Sequence, residues 1–242
     1  MKSYALGPPT VTFGPSIRIT AVFGLLGLII CLLSFGAAYI TNDITAWRIF
    51  FILAPIFCAL LLWQLSFRAA IHESGISCSN IFSTKEMRWL EVDRVYSSVE
   101  EVSVKHIPVG QFYSLKLRSV YGHSISFTNH ISRHEELILT IAQSTFKPLA
   151  EKALQSFDSG SIVTFGAITA GRWEGITVRT IFFNQTIRWH EIDSYDMDAA
   201  GITFYLRKKV LRSRTISAGR IANPHVLKFL LDHVMQQVWL RS

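Results

Sequence analysis

The chain has 242 residues, 50% of them hydrophobic and 17% charged, with a net charge of +7. That length accommodates a membrane anchor with one or two small domains behind it and does not require a single-domain enzyme. Its three cysteines, Cys31, Cys58 and Cys78, can build neither a disulfide framework nor a paired-cysteine metal site.

The average composition hides an asymmetry, because apolar residues crowd into the stretch before Phe67 while most of the charge follows it. After an N-terminal extended segment (1–16), the runs Ile17 to Ile40 and Ala46 to Phe67 are each long enough as a helix to cross about 30 Å of hydrocarbon. They predict a two-helix transmembrane hairpin over 17–67. A cleavable leader would have a shorter apolar core, a basic stretch directly before it and a small-residue cleavage site. Only Thr41 to Thr45 separates the runs, so the helices are antiparallel neighbours. Lys2, Arg18 and Arg68 flank the hairpin on one side, against Asp43 and the span-edge Arg48 in the loop; the positive-inside rule places both termini in the cytoplasm. Pro55 predicts a kink, and Gly24, Gly27, Gly36 and Ala37 predict close helix approach. No acidic or basic residue lies near mid-span, which argues against a proton or ion pathway.

Behind the anchor the sequence repeats itself. Gly75 and Ile76, followed by Arg88, Trp89, Glu91 and Asp93, return as Gly175 and Ile176, followed by Arg188, Trp189, Glu191 and Asp193, at unchanged spacing. Alternating strand-like runs follow in each copy: Tyr113 to Arg118 and Ser124 to Phe127 in the first, Ile202 to Leu206 and Arg214 to Ser217 in the second. Each copy ends in one helix. Ser132, Arg133, His134 and Glu135 form a capping-box pattern before Leu137, Ile138 and Ile141. Asn223 is a candidate cap with Pro224 at the first helical position, before Val226, Leu227, Leu230, Leu231 and Val234 on one face. Copy one, 70–157, is longer than copy two, 161–242, around Val99 to Gln111, which predicts an extended hairpin or a partner-binding loop.

A strand, a Gly-Ile pair, a second strand ending in Arg-Trp-x-Glu-Val/Ile-Asp, further hairpins and a terminal helix resemble the bacterial pleckstrin-homology-like (PH-like) domain. The opening Leu6-Gly7-Pro8-Pro9 through Phe13-Gly14-Pro15-Ser16 and the two spans resemble bacterial two-pass membrane proteins of that group. The resemblance implies a membrane helical hairpin plus an α+β part: two tandem antiparallel β-barrels or strongly bent sheets, each capped by a C-terminal helix. It also implies residence in the bacterial inner membrane, and it carries no catalytic residues over.

Among candidate sites, Trp89 and Trp189 read as core residues, since large aromatics dominate burial. Glu91, Asp93, Glu191 and Asp193 are expected to cap backbone amides or pair with Arg88 and Arg188 rather than act as paired catalytic carboxylates. His130, His134, Glu135 and Glu136 offer a superficial metal set, but no motif supplies further ligands at known spacing. Asp193, Asp196 and Asp198 lack the glycine and distal glutamate of a calcium loop. The basic cluster Arg207, Lys208, Lys209, Arg212 and Arg214 could meet anionic headgroups or serve as a solvated hairpin that resists aggregation. No nucleic-acid-binding motif accompanies it, and no phosphate loop or nucleophile elbow is present. The expectation is a non-enzymatic, cofactor-free interaction module that docks a protein partner or copies of itself at the cytoplasmic face, with anionic lipid binding by the basic hairpin as the alternative.

Overall fold

The structure is a computed structural model describing residues 6–41, 44–104, 107–179, 184–207 and 213–239. Its architecture is a helical hairpin near the N-terminus and two repeats of sheet plus capping helix. The chain divides into two compact units, Met1–Glu86 with Asn129–His134, and Met87–Thr128 with Glu135–Ser242.

In the first unit, strand β1 (Pro9–Phe13) leads into helix α1 (Ile17–Thr41), helix α2 (Ile44–Leu65) returns, and strands β2 (Arg68–His72) and β3 (Gly75–Ser79) follow. Both helices are long and apolar enough to cross a membrane, at mean hydropathies of 2.4 and 2.0. Their side chains lie outward, with Leu25, Leu33, Phe51 and Leu62 exposed, as expected of helices whose solvent is lipid. Between them, a Cβ at Gly27 would stand 2.9 Å from the Phe57 ring, whereas Gly36 has no neighbouring atom within 4 Å and takes no part in the expected close approach. Pro55 lies inside α2, which runs unbroken around it.

Strand β1, before the helices, pairs antiparallel with β2, after them, with Phe13 opposite Ala69. The helical hairpin therefore occupies the connection between two adjacent strands, and both of its ends emerge on the same side. With β4 (Thr84–Arg88) these strands form an open sheet ordered β1-β2-β3-β4. Phe13, Ala69, Ile71 and Ile76 supply its buried face. Segment 129–134 closes against the hairpin's base: Pro15 bridges Ile131, and the Ser132 hydroxyl donates to the Gly14 carbonyl at 3.1 Å. Ser132 is thus engaged away from the helix it was expected to cap, and Arg133 turns the chain at a φ of 53°.

The second unit begins with a 3-10 turn at Trp89–Glu91 and then a long hairpin, β5 (Val92–Val104) and β6 (Ile107–Ser119), joined by β7 (Ser124–Thr128) into a three-stranded sheet. Register runs from Val92 opposite Ser119 to Val104 opposite Ile107, so the extra length of copy one is extended hairpin. Helix α3 (His134–Asp158) follows, burying Leu137, Ile141, Leu149, Ala153 and Phe157, an i, i+4 stripe that makes one apolar face. Copy two contributes β8 (Val163–Phe165), β9 (Ile168–Gly171), β10 (Gly175–Arg179) and β11 (Asn184–Ile187) as one four-stranded sheet. A second 3-10 turn, Trp189–Glu191, precedes the sheet of β12 (Ile192–Met197), β13 (Gly201–Leu206) and β14 (Ser213–Ser217), and helix α4 (Pro224–Trp239) ends the copy. Along β13, Ile202, Phe204 and Leu206 are buried while Thr203 faces Thr215 at 2.9 Å on the other side, the period-two pattern of a half-buried strand.

Among the described residues the sheets are open and do not close into the expected barrels. In each copy the 3-10 turn at the Trp motif removes three residues from the ladder, so the strands on either side of it enter separate sheets of four and three strands.

Candidate functional site

The repeated motif builds structure. Trp89 and Trp189 are each 9% exposed, and the Trp189 indole Nε1 donates to the Gly171 carbonyl at 3.0 Å with its ring edge-on to Phe157. Ile76 and Ile176 are fully buried. Gly175 has a φ of 96°, and a Cβ there would lie 2.2 Å from the Ile187 carbonyl oxygen; glycine is required for both reasons. Glu191 accepts from the backbone N–H of Arg188 at 3.0 Å and so fastens its own turn. Asp93 pairs with Arg94 at 3.3 Å and Lys152 at 2.9 Å, and Asp193 pairs with Arg207 at 3.2 Å.

Of the basic cluster, Lys208, Lys209 and Arg212 lie outside the described residues. Both described members have partners: Arg207 holds Asp193, and Arg214 donates to Gln185 at 2.8 Å. Among the described residues no group of three or more His, Cys, Asp or Glu is gathered to hold a metal ion. His130 instead places Nδ1 2.6 Å from the Gln64 oxygen and stacks on Phe67, and burial pushes its pKa down. Asp196 and Asp198 are both exposed, and the Asp198 carboxylate accepts from the N–H groups of Ala200 and Gly201, each at 2.9 Å, capping the β12–β13 turn.

Asn223 stands where a helix cap is expected, its carbonyl accepting from the N–H groups of Val226 and Leu227 at 3.0 and 2.9 Å as α4 begins at Pro224, but its side chain joins the copies. Its side-chain oxygen accepts from Val95 N–H at 2.7 Å, its amide donates to the Asp93 carbonyl at 2.9 Å, and its own N–H donates to the Val95 carbonyl at 2.7 Å. Tyr96 bridges Ala222 alongside. The second copy's last helix thus starts against β5 of the first copy, held by three hydrogen bonds whose donors and acceptors would otherwise be left unpaired at a largely buried junction. A φ of 50° at Asn223 was the hidden signal, since asparagine tolerates the left-handed region better than most residues.

Beside this junction lies an open, mainly apolar groove of about 280 Å³, walled by Ser97 and Ser98 from β5, Ile138 from α3, Met197 from β12, and Pro224 and His225 from α4. His225 has a buried Nε2 with no partner among the described residues, and burial pushes its pKa down to about 4. The imidazole is therefore neutral near neutral pH. Asp198, at the rim, is committed to its turn. What remains is a mainly apolar trough with the neutral His225 ring, the Ser97 and Ser98 hydroxyls and the exposed cation Lys228 in its lining, a surface suited to receiving an apolar side chain beside a polar or acidic one.

A family model described as a family of unknown function (DUF6585) matches residues 1–239. The chain belongs to that family. The match includes the helices, both copies and the Asn223 junction, so membership refers to the whole arrangement rather than to one module. No curated protein matches the chain. Among solved structures, the Spt16D–Pob3N heterodimer is similar at 10% identity, covering 62% of this chain and 86% of that chain with a TM-score of 0.24, a likeness too loose to bear on this fold.

Proposed function

We propose that the chain is an integral membrane, non-enzymatic interaction module of tandem PH-like build that docks a protein partner, or a second copy, in the groove at the junction of its copies. The groove carries this reading. Both copies contribute to its wall, it is open and mainly apolar, its acidic side chain already caps a turn, and Lys228 leaves one cation in its lining for a partner's acidic group. Four-plus-three strands and one helix in each copy support the PH-like description. The few basic flanks favour both termini in the cytoplasm of a bacterial cell, facing the inner leaflet.

The test is site-specific photo-crosslinking in cells, with the crosslinker at Met197 in the groove and at exposed Glu151 as control. A discrete adduct, either to another protein or at twice the chain's own mass, is expected from Met197 alone. No adduct at Met197, together with a monomer in detergent, would end the reading. Lipid binding by the basic hairpin is the lesser reading, because Arg207 and Arg214 are already engaged within the protein.

A further inference from the structure

We infer that the β3–β4 turn is an additional membrane contact, with Ile81 and Phe82 inserted among the lipids beside the foot of α2. The inference rests on reading α1 and α2 as membrane spans.

Position comes first. Ser66 closes the last turn of α2, its N–H donating to the Leu62 carbonyl at 3.0 Å and its hydroxyl to the Trp63 carbonyl at 2.7 Å. That hydroxyl oxygen also accepts the N–H of Ile81 at 3.0 Å. Strand β2 runs away from the helix end and β3 runs back, with Ser79 opposite Arg68, so the turn returns to the level at which the chain leaves the span. A helix end at that level lies in the headgroup region.

The chemistry of the turn matches that depth. Ile81 is 58% exposed and Phe82 81% exposed, adjacent residues at the tip of an otherwise polar turn. Single exposed apolar side chains are ordinary, but this pair is held out by a fixed device. The Asn80 side-chain oxygen accepts from the N–H groups of Phe82 at 2.9 Å and Ser83 at 2.8 Å, and the Asn80 N–H donates to the Ser83 carbonyl at 2.9 Å. A turn so pinned cannot fold its side chains back onto the sheet. Trp63 and Phe67 meet edge to face at the same end of α2, their ring centroids 5.0 Å apart, where aromatic residues favour the interface, and exposed Arg68 and Lys85 are of the type that reaches from that depth to phosphates. At the opposite end of the sheet the β2–β3 turn is polar, Glu73 and Ser74, both exposed. The two ends of one small sheet are thus matched to lipid and to water.

Depth can be read by spin labels on the full chain in phosphatidylcholine vesicles, with Cys31, Cys58 and Cys78 replaced. Labels are placed at Phe82→Cys, at Phe51→Cys on the exposed face of α2, and at Glu73→Cys in the far turn. Collision with oxygen relative to a water-soluble nickel complex should be several-fold higher at Phe82→Cys than at Glu73→Cys, and highest at Phe51→Cys. If Phe82→Cys matches Glu73→Cys while Phe51→Cys is deep, the spans stand and the turn contact falls. If Phe51→Cys itself is aqueous, the spanning reading falls and takes this inference with it. Because Phe82 is so exposed, its replacement leaves the core untouched.

Discussion

The two copies connect their first two strands in opposite ways. In copy two the connection from β8 to β9 is the two-residue turn Gly166 and Ala167, and Gly166 bridges Ile221. Copy one reaches back beyond its expected start at residue 70 to take in β1 from the N-terminal segment; its connection from β1 to β2 is the whole helical hairpin, and Pro15 makes the matching bridge to Ile131. The bridge that closes each copy survives the insertion. A hairpin turn is a place where chain can be added at little thermodynamic cost, because loop closure entropy grows slowly with length. Here the added chain is a pair of helices long and apolar enough to cross a membrane, carried by one copy of the repeat and not by the other.

That comparison can be broken most directly by replacing residues 14–67 with a Gly-Ala turn. If the copies are equivalent, the chain should move from the membrane to the soluble fraction and keep a cooperative thermal transition; an aggregated or unfolded product would show that copy one needs its helices to fold. Next in size is Gly175→Ala, whose new methyl would meet the Ile187 carbonyl oxygen at 2.2 Å. It should cost about 3 to 4 kcal/mol in denaturant unfolding. By contrast Gly122→Ala, in the turn of copy one at a φ of 84° with no atom within 4 Å, should cost only about 1 kcal/mol, the conformational term alone.

Between these lie two tests of the junction. Asn223→Ala strands the Val95 N–H and the Asp93 carbonyl and keeps an unfavourable φ. A loss of about 3 kcal/mol is expected, with faster amide exchange at Val95 than anywhere else in β5. The second is pH. The His225 pKa falls to about 4 in the fold, from an ordinary value of 6.5. The unfolded chain therefore binds the extra proton first as pH drops, and stability should be full above about pH 6.5 and decline toward pH 4, by about 2 to 3 kcal/mol. His130 shifts in the same direction, so the contribution is isolated as the difference between the native chain and His225→Gln, which should show the shallower decline.

Much of this was legible in the order of residues. Runs of apolar side chains long enough to cross a bilayer require no partner to be recognised, because their period and length are local. The repeat was legible for the same reason: Gly75, Trp89 and Glu91 return as Gly175, Trp189 and Glu191, with both tryptophans buried and, in copy two, Gly175 and Glu191 meeting local backbone needs. The hydrogen-bond role of Asn223 was hidden, since its partners Asp93 and Val95 are remote in the chain and a capping role explained it equally well. His225 gave no sign of itself for a related reason, its burial being set by α3 and α4 together, with the Phe146 ring 6.1 Å away.

The sequence by itself determined the hairpin of helices, the two copies and their closing helices, because hydrophobic length and periodicity act through neighbours in the chain. Only the tertiary structure decided that the helices interrupt a β-hairpin, that each copy splits into two open sheets at its Trp turn, and that a groove forms where the copies meet. Those features depend on pairing between segments far apart in the chain, as when Phe13 meets Ala69 across the whole helical hairpin, and local pattern carries no record of which distant strand a backbone will bond.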